Sequence, residues 1–124
     1  MTTPVTGFSA RTDLLNNIFF IAGRDSVLNA LQAQQPDIWY YQFNWDEEPA
    51  PWNDIYGAAH LFDMNFVFGT FGPSLFSNVM NSTANQPGRL DLSDAMMRSI
   101  GAFAANGDPN NATTLRLYAY RGTS

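Results

Sequence analysis

The stretch "DIWYYQFNW", Asp37–Trp45, constrains the fold of this chain more than any other. It is built from aromatic residues that favour the extended, half-buried setting of a β-strand. Alternation puts Trp39, Tyr41, Phe43 and Trp45 on one face, and Ile38, Tyr40, Gln42 and Asn44 on the other. One face is fully apolar and the other half so, which suits a strand inside a covered sheet. No second stretch of the chain reads as its partner. A lone strand leaves its backbone donors and acceptors open along both edges and makes no sheet. The chain therefore reads as a slice of a larger α/β domain, incomplete as a domain by itself.

The rest reads as helices and long loops. "TDLLNNIFF" opens a helix with Thr12 or Asp13 as its N-cap. "RDSVLNALQAQQ" places Val27, Leu28, Ala30 and Leu31 on one side of an amphipathic helix that stops before Pro36. "DEEPAPWND", Asp46–Asp54, is a loop, because Pro49 and Pro51 have no N–H to give to a ladder. "FGPSLFSNVMNSTANQPGR" is broken by Gly72, Pro73, Pro87 and Gly88 and has room for one short helix. "LDLSDAMMRSIGAFAANG" is the clearest helix, with Leu92, Ala95, Met96, Ser99, Ile100 and Phe103 at helical spacing and Gly107 as its stop. The expected inventory is one clear strand, three to four helices and long loops.

Composition narrows the partners. The chain has 124 residues, enough for one domain, and 45% hydrophobic residues, which argues against disorder. Six arginines, no lysine and eleven acidic residues give a formal charge of −5, so no nucleic-acid backbone is expected as a partner. The absence of cysteine excludes disulfides, zinc–thiolate sites and thiol nucleophiles. "MTTPVTGFSARTD" lacks the basic-then-apolar pattern of a signal peptide, and the apolar run "IFFIA" is far short of a membrane span, so no membrane partner is expected either.

His60, in "GAAHLFDMNFVFG", is the only histidine. Taken alone, a histidine beside aromatic residues reads as a hydrogen-bonded structural residue. The order of several segments changes that reading. "TD" at Thr12 and Asp13, the aromatic strand ending in "FNWDEEP", "GAAH" with "FVFG", "PGR", "LSDAMM" and "GAFAANGDPN" follow one another over residues 12–110. In that order they resemble the C-terminal part of the type B carboxylesterase and cholinesterase family. The resemblance implies a C-terminal slice of an α/β-hydrolase, with His60 as the catalytic base and Asp63 as a carboxylate close behind it. The residue after this histidine is usually small in the family, so Leu61 is expected to crowd the acyl pocket. Two further departures are Ser99-Ile100, where a Tyr-Trp pair is usual, and an atypical tail over residues 111–124.

An esterase of this kind needs a nucleophilic serine, an orienting acid and oxyanion donors besides the histidine. The serine belongs to G-x-S-x-G, in a strand-to-helix turn, and comes before the acid and the histidine. "GFSAR" has Arg11 and "GPSLF" has Phe76 where the second glycine belongs, so neither supplies it. Asp13, Asp25 and Asp37 precede His60, but none is assigned as the orienting acid. The expected function is thus the histidine-bearing segment of a serine carboxylesterase that hydrolyses small-molecule esters through an acyl-enzyme. Its partner is the missing N-terminal part of the fold, it uses no cofactor or metal, and by itself it is inactive. A non-catalytic binding module derived from the same fold is the alternative.

Three other motifs have plainer readings. Asp46, Glu47 and Glu48 are adjacent, without the alternating ligand spacing of a calcium loop, and read as a solvated turn. Trp39, Trp45 and Trp52 read as core rather than as a ligand pocket. "NST" at Asn81 and "NAT" at Asn111 match the short N-glycosylation tripeptide.

Overall fold

Helices and loops make up the computed structural model, which describes residues 7–113. The described chain forms two units, residues 7–40 and 41–113. Most of the atypical tail expected over 111–124 lies outside the described residues, as do the first six positions.

In the first unit, α1 (Gly7–Asn16) passes through a π-helical turn, Asn17–Ile21, into α2 (Ala22–Gln32). Two helices with a cap at Thr12 or Asp13 were expected; both residues lie inside α1 instead. Nothing between them stops the chain, and Asn16 and Ala22 keep right-handed helical geometry at the junctions. The Ala22 N–H reaches back five residues to the Asn17 carbonyl, the bond that defines a π turn. Leu28 and Ile38 are buried, and the Arg24 guanidinium lies 5.3 Å from the centre of the Tyr40 ring. Leu14, Leu15, Ile18, Phe19 and Phe20 are exposed.

The second unit holds α3 (Trp52–Ile55), α4 (Phe62–Phe68), α5 (Ser77–Met80) and α6 (Gln86–Asn106). Phe62 and Phe66, four residues apart, share the buried face of α4, while Met64 and Phe68 stay exposed. They join Trp45 and Met80 in the core, with Phe43, Phe71, Val79, Leu92 and Met96 packed around them. Phe66 is at the centre: its ring lies 5.0 Å from Phe43, 5.0 Å from Trp45 and 5.2 Å from Phe71. The buried Ser93 hydroxyl of α6 donates to the Phe66 carbonyl at 2.8 Å and ties the two helices together. α4 stops at Gly69, whose φ of +62° is left-handed and whose missing side chain leaves room for Met97.

The expected strand is not formed. Residues 37–48 are irregular, and no strand occurs among the described residues. A ladder needs a neighbouring extended segment, and the described chain supplies none. Part of the expected alternation nevertheless holds at the side chains. Phe43 and Trp45 turn into the core, and Gln42 and Asn44 stay exposed and bond to each other. Tyr41 is exposed, against the expectation of an apolar face buried along its length.

The long helix keeps its expected stop. Gly107 takes φ +75° and its N–H bonds the Phe103 carbonyl at 2.7 Å. Its start is earlier than expected, because Pro87 and Gly88 lie in its first turn. Proline is tolerated there, where its missing N–H has no helical partner to lose. Ser82 and Asn85 fix the entry by exchanging bonds: the Ser82 N–H donates to the Asn85 Oδ1, and the Asn85 N–H to the Ser82 hydroxyl, both at 3.1 Å.

Candidate functional site

His60 occupies a tight turn between α3 and α4. The Ala59 N–H bonds the Gly57 carbonyl at 2.7 Å, and the Phe62 N–H bonds the Ala59 carbonyl at 3.2 Å. His60 and Leu61 are therefore the two central residues of a turn from Ala59 to Phe62. Leu61 has φ 75° and ψ −8°, the geometry of the third position of a type II turn, which glycine fills without strain. The turn presents His60 to solvent, while Phe62, just after it, is buried against Tyr56 and Phe76. An exposed histidine thus stands on a turn anchored by a buried aromatic ring.

A side chain in left-handed geometry costs about 1–2 kcal/mol. We expect Leu61→Gly to stabilise the chain, by about 0.5–1 kcal/mol once the greater freedom of glycine in the unfolded chain is counted. Chemical denaturation of the two forms checks this, and a loss of stability would contradict it. Leu61 is 56% exposed.

Asp63, in the first turn of α4, accepts a hydrogen bond from the Tyr41 hydroxyl at 2.7 Å. Partial desolvation, then that bond and the charge of Asp63, push the Tyr41 phenol up to about 12. The structure brings Asp63 together with Tyr41, a partner 22 positions away that no sequence pattern announces. Neither serine motif has the strand-to-helix setting of a nucleophile. "GFSAR" begins α1, and Ser74 of "GPSLF" sits in the turn before α5, where its N–H and carbonyl both bond the Ser77 hydroxyl. Asp25 is paired with Arg24 at 2.7 Å.

Sequence reasoning missed a polar knot below α6. Arg89 is only 6% exposed, donates to the Asn81 Oδ1 and lies 4.8 Å from the centre of the Phe71 ring. Burial lowers its pKa. Asn81 in turn donates to the Phe71 carbonyl at 3.0 Å, and Asn85 donates to the carbonyls of Glu47 and Met80, both at 2.8 Å. The "PGR" and "NST" motifs contain two of these residues, but nothing in them signals burial.

The acidic turn beside this knot is not wholly solvated. Glu48 is 4% exposed, and neither of its carboxylate oxygens meets a donor among the described residues. Burial is the main reason that its pKa is raised, and the charge of Asp46 adds to the rise. Among the described residues no three His, Cys, Asp or Glu side chains are grouped to hold a metal, and no helix is long and apolar enough to cross a membrane.

A raised carboxylate pKa has a definite sign for stability. The neutral form is favoured in the folded chain, so this contribution is full below the unfolded value of about 4.3 and is lost as pH rises through the folded value. Glu48→Gln is expected to stabilise the chain at pH 7 by about 1–2 kcal/mol, with little effect at pH 4. Denaturation at both pH values tests this; destabilisation at pH 7 would mean that Glu48 is ionised and paired.

Comparison with known proteins gives the family of the chain. Residues 3–122 match the family model described as "Carboxylesterase family". Over 108 residues the chain is 28% identical to acetylcholinesterase 1 of Caenorhabditis elegans, a match that covers 87% of this chain and 16% of that protein. No solved structure matches the chain significantly.

Proposed function

The chain belongs to the carboxylesterase family, whose fold is the α/β-hydrolase, and from this we propose that it is the C-terminal segment of a serine carboxylesterase. In this reading the complete enzyme hydrolyses carboxylic esters through an acyl-enzyme, and His60 is its proton shuttle. The observation that carries the proposal is the position of the only histidine: an exposed turn within a family match that spans nearly the whole chain. His60 takes the serine proton as the ester is attacked, then returns it to the leaving alkoxide; the second half repeats the cycle with water. The serine, the orienting acid and the oxyanion donors come from the part of the fold that precedes this segment.

Residues 37–45 become a strand when the rest of the sheet lies beside them, and the exposed apolar side chains of α1 and the π turn are covered by the same missing layers. Retention of a histidine on this turn speaks for the enzyme rather than for a binding module, which has no use for it. The isolated chain is therefore expected to show no turnover of p-nitrophenyl esters that depends on His60. Turnover that survives purification and vanishes in His60→Ala would overturn the proposal, because it would require a nucleophile within this chain.

A further inference from the structure

Two Asn-x-Thr tripeptides occur in the chain, and the structure treats them oppositely. Asn111 lies in the irregular loop beyond the glycine stop of α6. Its Oδ1 accepts both the Thr113 hydroxyl at 2.7 Å and the Thr113 N–H at 3.1 Å. The threonine is thus already folded back onto the carboxamide, within a tripeptide whose last two residues are exposed. Among the described residues the Asn111 Nδ2 has two long bonds, to the Ser99 hydroxyl and the Pro109 carbonyl, each at 3.3 Å, near the limit for an N–H···O bond.

Asn81 is committed at both ends of its carboxamide. Its Nδ2 donates to the Phe71 carbonyl at 3.0 Å, and its Oδ1 is the acceptor for the buried Arg89. The next residue, Ser82, is tied to Asn85 at the start of α6. A sugar on the Asn81 Nδ2 would have to enter this knot and would push the carboxamide away from the buried Arg89, whose lost bond water cannot replace there.

We propose that Asn111 is an N-glycosylation site and that Asn81 carries no glycan in the folded chain. The donor is an oligosaccharide held on a polyisoprenyl pyrophosphate. The Asn111 Nδ2 attacks the anomeric carbon, the new C–N bond forms as the bond to the pyrophosphate oxygen breaks, and the lipid pyrophosphate leaves. One Nδ2 proton passes to a base of the transferase, and the other stays to donate one hydrogen bond. A nascent chain offers both tripeptides, but one glycosylated at Asn81 does not close the knot, so the folded fraction carries the Asn111 glycan alone.

The test is to produce the full chain behind a cleavable secretion leader in eukaryotic cells and to analyse the soluble fraction. The expected result is one mobility shift that peptide-N-glycosidase removes, with Asn111 converted to Asp in the mapped peptide. Asn111→Gln and Thr113→Ala should each abolish the shift, and Thr113→Ser should retain it. Peptide mapping of the unsubstituted chain reads Asn81 directly, so no variant of the knot has to fold. No glycan, a glycan at Asn81, or a shift that survives Thr113→Ala would overturn the proposal.

Discussion

Phe66→Ala is expected to destabilise the second unit by about 3–5 kcal/mol, the usual cost of deleting a fully buried aromatic ring. Phe66 is 0% exposed and touches three other rings, from the 41–48 segment and from beyond α4. Its removal leaves a cavity where the aromatic segment, α4 and α6 converge, and the rigid surroundings relax only in part. Small domains have about 5–15 kcal/mol in total, so the variant should be largely unfolded at moderate denaturant where the parent is folded. Backbone hydrogen exchange in α4 and α6 gives the second readout, with protection lost along both helices together. Phe43→Ala should cost less, because Phe43 is only partly buried. A cost below about 1 kcal/mol for Phe66→Ala would contradict the core described here. The same substitution should disturb the His60 turn, since Phe66 lies one helical turn beyond the buried Phe62.

The long helix was legible because its evidence is local. Leu92 and Met96 recur at helical spacing on the packed face, and Gly107 ends it with a geometry that glycine adopts freely. The strand was not, because a ladder is a relation between two segments. Alternation told which of residues 42–45 enter the core, and nothing in those residues could supply the neighbour that makes them a strand. Pro87 was misread for a related reason: its effect depends on where the helix begins, and Asn85 and Ser82 set that start through bonds the sequence does not display.

The site divides in the same way. His60 stands out as a single residue in a recognisable order of motifs. The left-handed Leu61 beside it and the Tyr41–Asp63 bond depend on how the chain turns and on pairing across 22 positions. The Arg89–Asn81 pair was hidden behind a modification motif. Burial of the guanidinium is decided by the aromatic ring of Phe71 and by the Asn81 carboxamide, neither of which is marked by spacing.

In the proposed reading His60 is the proton shuttle of a complete esterase. The most direct measurement is steady-state ester hydrolysis by a complete, active relative in which Thr12–Asn110 replaces the corresponding segment. His60→Ala in that chimera is expected to lower kcat by at least ~10³-fold, since the serine loses the base that takes its proton and the acid that returns it. Asp63→Asn should cost far less, because the Asn side chain still accepts the Tyr41 hydroxyl and only a nearby charge is lost. A chimera as damaged by Asp63→Asn as by His60→Ala would make Asp63 the orienting acid, and a chimera that keeps full activity without His60 would contradict the account.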